Sequence, residues 1–174
     1  MQTIRDISYL TKSAQTACNM FMEECKRRGL NVFITETYRT QERQDYLYSL
    51  GRTRSGKVVT WTRKSRHTSG RAWDIACNAP YQLYDSYILK KCGEAAHDLG
   101  ITWGGDWKNA DYPHFEISEN WEEQAMKEIE NIKTKIQYID ESLTNLYSIA
   151  ENMKTKVYNT TDEVPEWARS ENAF

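Results

Sequence analysis

Two histidines and an aspartate are the side chains in this sequence best suited to binding a metal ion. His67 and Asp74 lie within residues 65–75, and His114 follows within residues 111–116. The whole chain has only three histidines. Two imidazoles and a carboxylate suit zinc and leave a fourth position open for water, which is the arrangement of a catalytic site. The sequence therefore predicts the core of a zinc hydrolase.

The sequence around these side chains indicates turns that lead into short strands. Residues 68–70 are Thr-Ser-Gly, which favours a turn over a helix, and residues 72–76 then suit a strand. Because successive side chains of a strand point to opposite faces, Asp74 would point away from its apolar neighbours. A proline precedes His114 and suits the start of a strand or an edge. We therefore expect a small sheet to carry the ligands.

Three motifs together resemble a known family. They are Ser-x-His-x-x-Gly-x-Ala-x-Asp at 65–74, Trp-Gly-Gly-Asp-Trp at 103–107 and Asp-x-Pro-His-Phe at 111–115. They look like those of the zinc peptidases related to D-Ala-D-Ala carboxypeptidases and dipeptidases. They are most similar to the L-alanyl-D-glutamate endopeptidases of bacteriophage lysins and bacterial wall hydrolases. The resemblance spans roughly residues 8–118.

The resemblance implies roles for two further charged residues. Arg39 stands in a Tyr-Arg-Thr element, where the relatives carry an arginine that polarises the scissile carbonyl. Asp111 matches the acidic residue that acts as the base toward water activated by zinc. Dipeptidases of the family carry Glu at this position, so the shorter Asp111 favours the endopeptidase branch. Glu116 is the competing base, although its place beyond the ligand favours a structural salt bridge or hydrogen bond.

Five other side chains receive predictions of their own. Ser65, Trp103 and Gln44 are predicted to bind substrate, with Trp103 as a wall of the cleft in the relatives. Asp106 either orients a metal-bound histidine through its ring N–H or fixes the loop that carries it. His97 lies in a predicted helix without a partner motif, and we expect a surface or capping role for it.

Helical and strand patterns alternate before the C-terminal part of the chain. Apolar residues recur at helical spacing in residues 8–29 and 84–99, and a further helix is predicted over 41–50. Residues 31–37 and 101–103 have strand character. The predicted fold class is α+β: a small, mainly antiparallel sheet carries the zinc site, helices pack on it, and a long coiled-coil helix follows.

Length, charge and cysteines limit the function classes. A chain of 174 residues suffices for one medium domain and an appendage, and its net charge of −2 does not suggest binding to nucleic acid. No apolar run approaches the ~20 residues needed to span a bilayer, so no membrane insertion is expected. The first residues lack the pattern of a secretory signal. The four cysteines show no C-x-x-C pair and are expected to be reduced, with disulfides or metal ligation as alternatives.

Residues 52–66 form a basic loop or short hairpin that contains no Asp or Glu. A cluster of this kind can meet an anionic polymer, such as the carboxylates of peptidoglycan stem peptides or the phosphates of wall teichoic acids. The alternative is a solvated loop that faces water.

A heptad pattern fills residues 125–157. Its apolar positions alternate in steps of four and three: Ala125, Ile129, Ile132, Ile136, Ile139, Leu143, Leu146, Ala150, Met153 and Val157. A seam that keeps a period of about 3.5 residues favours a left-handed coiled coil, and isoleucine at both seam positions favours three or more strands. We therefore expect a parallel homo-oligomer. The alternative is an intramolecular helix that lies on the catalytic domain.

The sequence predicts a catalytic domain at 1–120, a coiled-coil helix at 121–157 and the start of a wall-associated module at 158–174. The resemblance implies a peptidoglycan hydrolase that cleaves the stem peptide between L-Ala and D-Glu. It also implies the setting of a phage lysin, made in the host cytoplasm and acting on the bacterial cell wall. The rival functions are a D-Ala-D-Ala type carboxypeptidase and a non-catalytic, zinc-stabilised wall-binding or virion module.

Overall fold

The structure of this protein is a computed structural model that describes residues 2–160, with side chains through residue 154. The chain divides into two compact units, Met1–Ala125 and Met126–Phe174. The wall-associated module predicted from the last part of the sequence lies outside the described residues from residue 161 onward.

The first unit is built from helices and strands that alternate along the chain. The helices are α1 (Lys12–Arg27), α2 (Gln41–Ser49) and α3 (Ser86–Asp98). The strands are β1 (Val32–Glu36), β2 (Ala72–Cys77), β3 (Thr102–Trp103) and β4 (His114–Glu116). Short 3-10 turns occupy Ile7–Tyr9, Arg66–Ser69 and Gly104–Asp106. A further helix, α4 (Trp121–Thr160), begins in the first unit and continues into the second.

Helix α1 shows why the apolar pattern produces an amphipathic helix. The Thr11 hydroxyl accepts a hydrogen bond from the Ala14 N–H at 3.4 Å and caps the first turn. The apolar residues at helical spacing, Ala14, Ala17, Cys18, Phe21 and Cys25, are buried. Gly29 follows the helix with φ of 73°, a left-handed conformation that glycine adopts without a steric penalty.

The sheet brings the predicted metal ligands onto neighbouring strands. Its strand order is β1-β2-β4-β3, and each pairing is antiparallel. Asp74 lies opposite His114 in the β2–β4 pair and opposite Glu36 in the β1–β2 pair. The predicted α+β class with a small antiparallel sheet is confirmed.

The core lies on the opposite face of the sheet from these ligands. Trp73 and Phe115 are fully buried and pack with Phe21 of α1, whose ring centre lies 4.5 Å from that of Phe115. Asp74 and His114 alternate with these aromatic residues along β2 and β4, so their side chains leave the core. The alternation predicted for β2 therefore explains how one strand both anchors the core and carries a ligand.

Trp121 connects the start of α4 to the first unit. Its side chain is buried in the core cluster, and its indole Nε1–H donates to the Leu99 carbonyl at 2.9 Å. The first unit therefore continues a few residues beyond the predicted boundary at 120, because the first turn of α4 packs on the domain before it.

The part of α4 that lies in the second unit has an apolar seam exposed to solvent. Six seam side chains have about half or more of their surface exposed: Ile129, Ile132, Ile136, Ile139, Leu143 and Leu146. Among the described residues, no helix has both the length and the apolar character required to cross a membrane.

Candidate metal centre

Three side chains from separate parts of the chain meet at one point. Asp74 Oδ1 lies 3.1 Å from His67 Nε2 and 3.1 Å from His114 Nδ1, and the two ring nitrogens are 3.2 Å apart. Bonds of about 2.0–2.1 Å to a tetrahedral ion would place its ligand atoms about 3.3–3.4 Å apart. The triangle is therefore already close to the size that a four-coordinate metal requires. The predicted convergence of these three residues is present, and they can hold a metal ion.

Different local structures position the ligands. The antiparallel register of β2 and β4 places Asp74 beside His114. His67 comes from the 3-10 turn Arg66–Ser69, where the Ser65 hydroxyl accepts a hydrogen bond from the His67 N–H at 3.3 Å. Gly70 ends this turn with φ of 65°, and a Cβ there would lie 3.1 Å from the Tyr9 carbonyl oxygen. The Thr-Ser-Gly turn is therefore the element that brings His67 back over the sheet.

The outer ring nitrogens of both histidines are held by oxygen acceptors. His67 Nδ1 lies 2.5 Å from the Thr37 carbonyl oxygen, and His114 Nε2 lies 2.9 Å from a Glu116 carboxylate oxygen. Because these oxygens accept, the ring protons lie on the outer nitrogens and the lone pairs face Asp74. When both imidazoles are neutral, three acceptor atoms therefore point at one another. That donor set fits a cation at their centre.

The electrostatics of the site also favour positive charge. Burial alone would lower the pKa of His114, but hydrogen bonds and charges of Asp74 and Glu116 outweigh it and raise the pKa to about 9. Burial would raise the pKa of Asp74, but His67 and His114 hold it well below its usual range. Without a metal, a proton on an imidazole neutralises the carboxylate. A divalent cation would replace that proton.

Arg39 joins the site through a buried network. Its Nε and Nη2 donate to Glu36 Oε2 at 3.1 and 2.5 Å, and Nη2 also lies 3.4 Å from Asp74 Oδ2. Its Nη1 donates to Gln44 Oε1 at 2.8 Å. Arg43 donates to the other Glu36 oxygen at 2.7 Å, so both carboxylate oxygens of this strand residue are paired. Arg39 therefore holds the Asp74 oxygen that faces away from the two histidines.

Asp111 lies in the cleft beside the three ligands. Its backbone N–H donates to the Gly104 carbonyl at 2.9 Å, and a Cβ on Gly104 would lie 2.6 Å from the Asp111 carbonyl oxygen. Partial burial and the negative charge of Asp74 raise the pKa of the Asp111 carboxyl. Within residues 2–160, no hydrogen bond engages this carboxylate. It is therefore available to a bound water or substrate.

The cleft that contains the site is open and has a volume of about 920 Å³. Its lining includes the three ligands, Arg39, Asp111 and Ser65, together with parts of the basic loop. Ser65, which the sequence predicts to bind substrate, is among the residues that line the cleft.

Three predicted site residues are not among those that line the cleft. Gln44 is fully buried and donates to the Thr62 carbonyl at 2.6 Å, so it connects Arg39 to the basic loop and is shielded from substrate. Trp103 is buried in the core, and its indole Nε1–H donates to the Tyr112 carbonyl at 2.8 Å. Asp106 Oδ2 lies 2.6 Å from His97 Nε2, so its partner is the histidine outside the metal site.

Other residues fill the places that the sequence assigned to these three. Trp107 lines the cleft, and its ring centre lies 5.0 Å from that of His114. Thr37 and Glu116 hold the outer ring nitrogens, and Glu36 holds Arg39. Trp107 ends the Trp-Gly-Gly-Asp-Trp motif and Glu36 precedes Arg39 by three residues, so both had a sequence signal. Thr37 acts through its backbone carbonyl and had none.

Comparison with known proteins connects this geometry to a peptidase family. Residues 59–117, which include all three ligands, match the model of a family described as D-alanyl-D-alanine carboxypeptidase. The chain is 39% identical over 107 residues to the peptidoglycan L-alanyl-D-glutamate endopeptidase CwlK of Bacillus subtilis (strain 168), covering 53% of this chain and 64% of that protein. It is 27% identical over 122 residues to the L-alanyl-D-glutamate peptidase of Listeria phage A118, covering 67% and 41% respectively.

A solved structure shows the same fold. The L-Ala D-Glu endopeptidase ChiX of Serratia marcescens has a TM-score of 0.50 and 21% sequence identity, over 67% of this chain and 89% of that one. The chain therefore shares the fold of that structure, and its three ligand residues lie in the segment that the family model matches. The predicted resemblance to the zinc peptidases related to D-Ala-D-Ala carboxypeptidases is confirmed. The chain spans less than two thirds of the length of either curated relative.

Proposed function

We propose that this protein is a peptidoglycan hydrolase that cleaves the stem peptide between L-Ala and D-Glu with the help of one zinc ion. The observation that carries the proposal is the triangle of His67 Nε2, Asp74 Oδ1 and His114 Nδ1 beside an open cleft. Two imidazoles and one carboxylate are a ligand set that zinc favours, and the cleft leaves room for a fourth ligand. The bond specificity is supported by the names of the two relatives and of the ChiX structure.

Zinc, when bound, lowers the pKa of a coordinated water toward neutrality and polarises a carbonyl. The residues around it then have separate tasks. Asp111 takes the proton of the attacking water and delivers it to the leaving amine, because its carboxylate is unpaired within the described residues and lies in the cleft. The hydrogen bond from the Asp111 backbone N–H to the Gly104 carbonyl keeps this residue in place.

Arg39 contacts the scissile carbonyl. Among the described residues, its hydrogen bonds to Glu36, Gln44 and Asp74 use four of the five N–H groups of a guanidinium, which leaves one on Nη1. A guanidinium fixed in this way pays little reorganisation when negative charge develops on the carbonyl oxygen. Ser65 and Trp107 flank the substrate at the edge of the cleft.

Identification of the new chain ends tests this function. Purified peptidoglycan is incubated with the protein, with the protein plus chelator, and with the chelated protein after zinc is restored. We expect new C-terminal L-Ala and N-terminal D-Glu by mass spectrometry in the first and third reactions alone. Walls that remain intact, or ends at another bond, would overturn the proposal.

A carboxypeptidase that removes terminal D-Ala is the second candidate, because the matching family model carries that description. The same digestion separates the two functions, since a carboxypeptidase releases free D-Ala and leaves the bond between L-Ala and D-Glu intact. A non-catalytic wall-binding module is disfavoured because the unpaired Asp111 and the oriented Arg39 would have no task in it.

We further propose that the catalytic domain is followed by an oligomerising helix that pairs with copies of itself. The exposed seam of α4 carries isoleucine at both heptad positions, at Ile129 and Ile136 in one row and at Ile132 and Ile139 in the other. Burying such side chains against identical helices would remove this apolar surface from water. Isoleucine in both rows favours three or more strands over two.

Charges beside the seam favour a parallel arrangement of those helices. In a parallel coiled coil, a residue that immediately precedes the row of Ile129 and Ile136 lies beside a residue of the neighbouring helix. That neighbour is five places further along the chain. Glu128 would then meet Lys133, and Lys135 would meet Asp140, so both pairs join opposite charges. An oligomer of this kind would present several catalytic domains to one cell wall.

A further inference from the structure

An unusual group of arginines lies next to the cleft. Their guanidinium groups rest on aromatic rings of α2 and of the basic loop. Arg52 Cζ lies 4.0 Å from the centre of the Tyr48 ring and 5.6 Å from that of Trp61. Arg63 Cζ lies 4.9 Å from the Tyr48 ring. We call these residues, together with the Arg54 and Tyr46 pair at 5.4 Å, the arginine platform: Tyr46, Tyr48, Arg52, Arg54, Trp61 and Arg63.

The aromatic rings orient these cations without neutralising them. A guanidinium that stacks on an aromatic face keeps its N–H groups directed outward in the plane. Arg52 uses two of them to hold the loop, donating to the carbonyls of Tyr48 and Thr60 at 2.6 and 3.1 Å. Within residues 2–160, neither Arg54 nor Arg63 makes a side-chain hydrogen bond or an ion pair. Both are exposed to solvent.

Among the residues whose side chains the structure describes, no carboxylate forms an ion pair with the three arginines of the platform. The loop over residues 52–66 contains no Asp or Glu. Asp45 of α2 accepts a hydrogen bond from Gln41 at 3.0 Å, and the same glutamine donates to the Arg63 carbonyl. The platform therefore presents ordered positive charge without an internal counterion.

The platform lies outside the cleft but is continuous with it. Its three arginines and two tyrosines are not among the residues that line the cleft, whereas Trp61 belongs to both surfaces. A stem peptide bound at the metal centre would therefore be held by other groups. The platform suits a second, extended anion that passes beside the substrate.

We propose that the arginine platform binds a phosphodiester polymer that accompanies peptidoglycan in the bacterial wall. Guanidinium groups match the oxygens of phosphate in a two-pronged geometry, and a row of such groups suits a polymer with repeated anions. Phosphates are favoured over stem-peptide carboxylates because the platform lies beyond the cleft that the stem peptide must enter. The choice of a wall polymer rests on the proposed function.

Direct binding to defined probes tests this proposal. A fluorescent glycerol phosphate oligomer is titrated with the full-length protein at an ionic strength of about 0.1 M, where the Debye length is about 10 Å. An oligo-glutamate and a short single-stranded oligonucleotide of equal charge are titrated in parallel. We expect the glycerol phosphate oligomer to bind most tightly. Arg54→Gln combined with Arg63→Gln should weaken this binding on the order of tenfold, because two charged contacts to a polyanion are lost.

The matched control removes two positive charges elsewhere on the domain. Lys26→Gln combined with Lys90→Gln changes the net charge equally, at exposed positions of α1 and α3. We expect it to change the affinity less than about twofold, since surface charges beyond a Debye length are screened. Thermal unfolding checks that both double variants fold like the wild type.

Several results would overturn the proposal. One is an equal loss of affinity in both double variants, which would indicate net charge alone. Others are tighter binding of oligo-glutamate or of the oligonucleotide, or no binding to the phosphate oligomer. Hydrolysis of a soluble stem peptide by the wild type is measured separately. Hydrolysis without platform binding would overturn this inference alone, and platform binding without hydrolysis would overturn the proposed function alone.

Discussion

The metal centre and the seam of α4 invert the usual distribution of polar and apolar side chains in opposite ways. His67 and His114 are polar and only 1% and 5% exposed, whereas Ile132 and Leu146 are apolar and 47% and 63% exposed. Buried polar groups require partners, and an exposed row of large apolar groups marks an interaction surface. Each region is therefore suited to a binding partner. The first has the geometry for a cation and the second has the pattern for another helix.

The two regions also differ in how rigidly they are prepared. Around the metal centre, Glu36, Arg39 and Gln44 form a connected network, and the histidines have fixed outer partners. Such a network keeps the ligand atoms together before the ion arrives. Within the described residues, no comparable network supports the α4 seam. Association with another helix would supply its contacts. We therefore expect substitutions in the first region to affect catalysis and those in the second to affect assembly.

The largest effect is expected from loss of a metal ligand. His114→Ala should reduce hydrolysis of a soluble stem peptide by more than about 10⁴-fold, because both activation of water and polarisation of the carbonyl are lost. His97→Ala is the matched control, since His97 pairs with Asp106 away from the ligands. We expect it to retain activity within about threefold. Similar losses in both variants would contradict the assignment of the site.

A smaller loss is expected when the base is removed but the metal is kept. Asp111→Asn preserves the shape of the side chain and should lower kcat about 10²- to 10⁴-fold, since proton transfer loses its acceptor. Its metal content should equal that of the wild type. Lysis of purified walls by the Asp111→Ala variant is a simpler test of the same role. Undiminished lysis by that variant would refute the catalytic role.

Disruption of the Arg39 network should have an intermediate effect. Gln44→Leu leaves Arg39 Nη1 and the Thr62 carbonyl without their partner, which should destabilise the fold by about 1–3 kcal/mol and reduce activity about 10- to 100-fold. Gln41→Leu on the same helix is the control, because Gln41 is exposed and its hydrogen bonds to Asp45 and to the Arg63 carbonyl lie outside the Arg39 network. Thermal unfolding, kcat and metal affinity are measured for both. Equal behaviour of the two variants would argue against a network that supports the site.

The seam should matter for assembly but little for chemistry. Ile139→Asp places a charge in the seam and should convert an oligomer to monomers in light scattering at micromolar concentration. Tyr138→Asp lies outside the seam and should leave the mass unchanged. Both variants should hydrolyse a soluble stem peptide within about twofold of the wild type, because neither residue is among those that line the cleft. A monomeric wild-type protein would remove the oligomer proposal.

The smallest predicted effect distinguishes parallel from antiparallel helices. Glu128→Lys should weaken the oligomer by a few tenths to about 1 kcal/mol per contact, because it faces Lys133 of the neighbouring helix in the parallel register. Adding Lys133→Glu should restore the original stability. The dissociation constant is measured by sedimentation. Failure of the second change to compensate would argue against the parallel register.

The sequence was most informative where structure depends on near neighbours. Strand alternation correctly placed Asp74 outside the core, and the Thr-Ser-Gly turn explains how His67 reaches the site. Long-range packing could not be read in the same way. Trp103 was expected in the cleft but fills the core, and Gln44 was expected to touch substrate but is buried beneath the loop. Both outcomes depend on which distant segments cover a residue, and periodicity does not reveal that.

The central claim is that His67, Asp74 and His114 hold one metal ion at the site of catalysis. Elemental mass spectrometry of the purified protein after exposure to zinc and removal of excess metal measures this directly. We predict one zinc per wild-type chain, and almost none in the Asp74→Ala variant, with the His97→Ala variant equal to the wild type. A wild-type protein without zinc, or an Asp74→Ala variant that retains a full equivalent with unchanged affinity, would contradict the account.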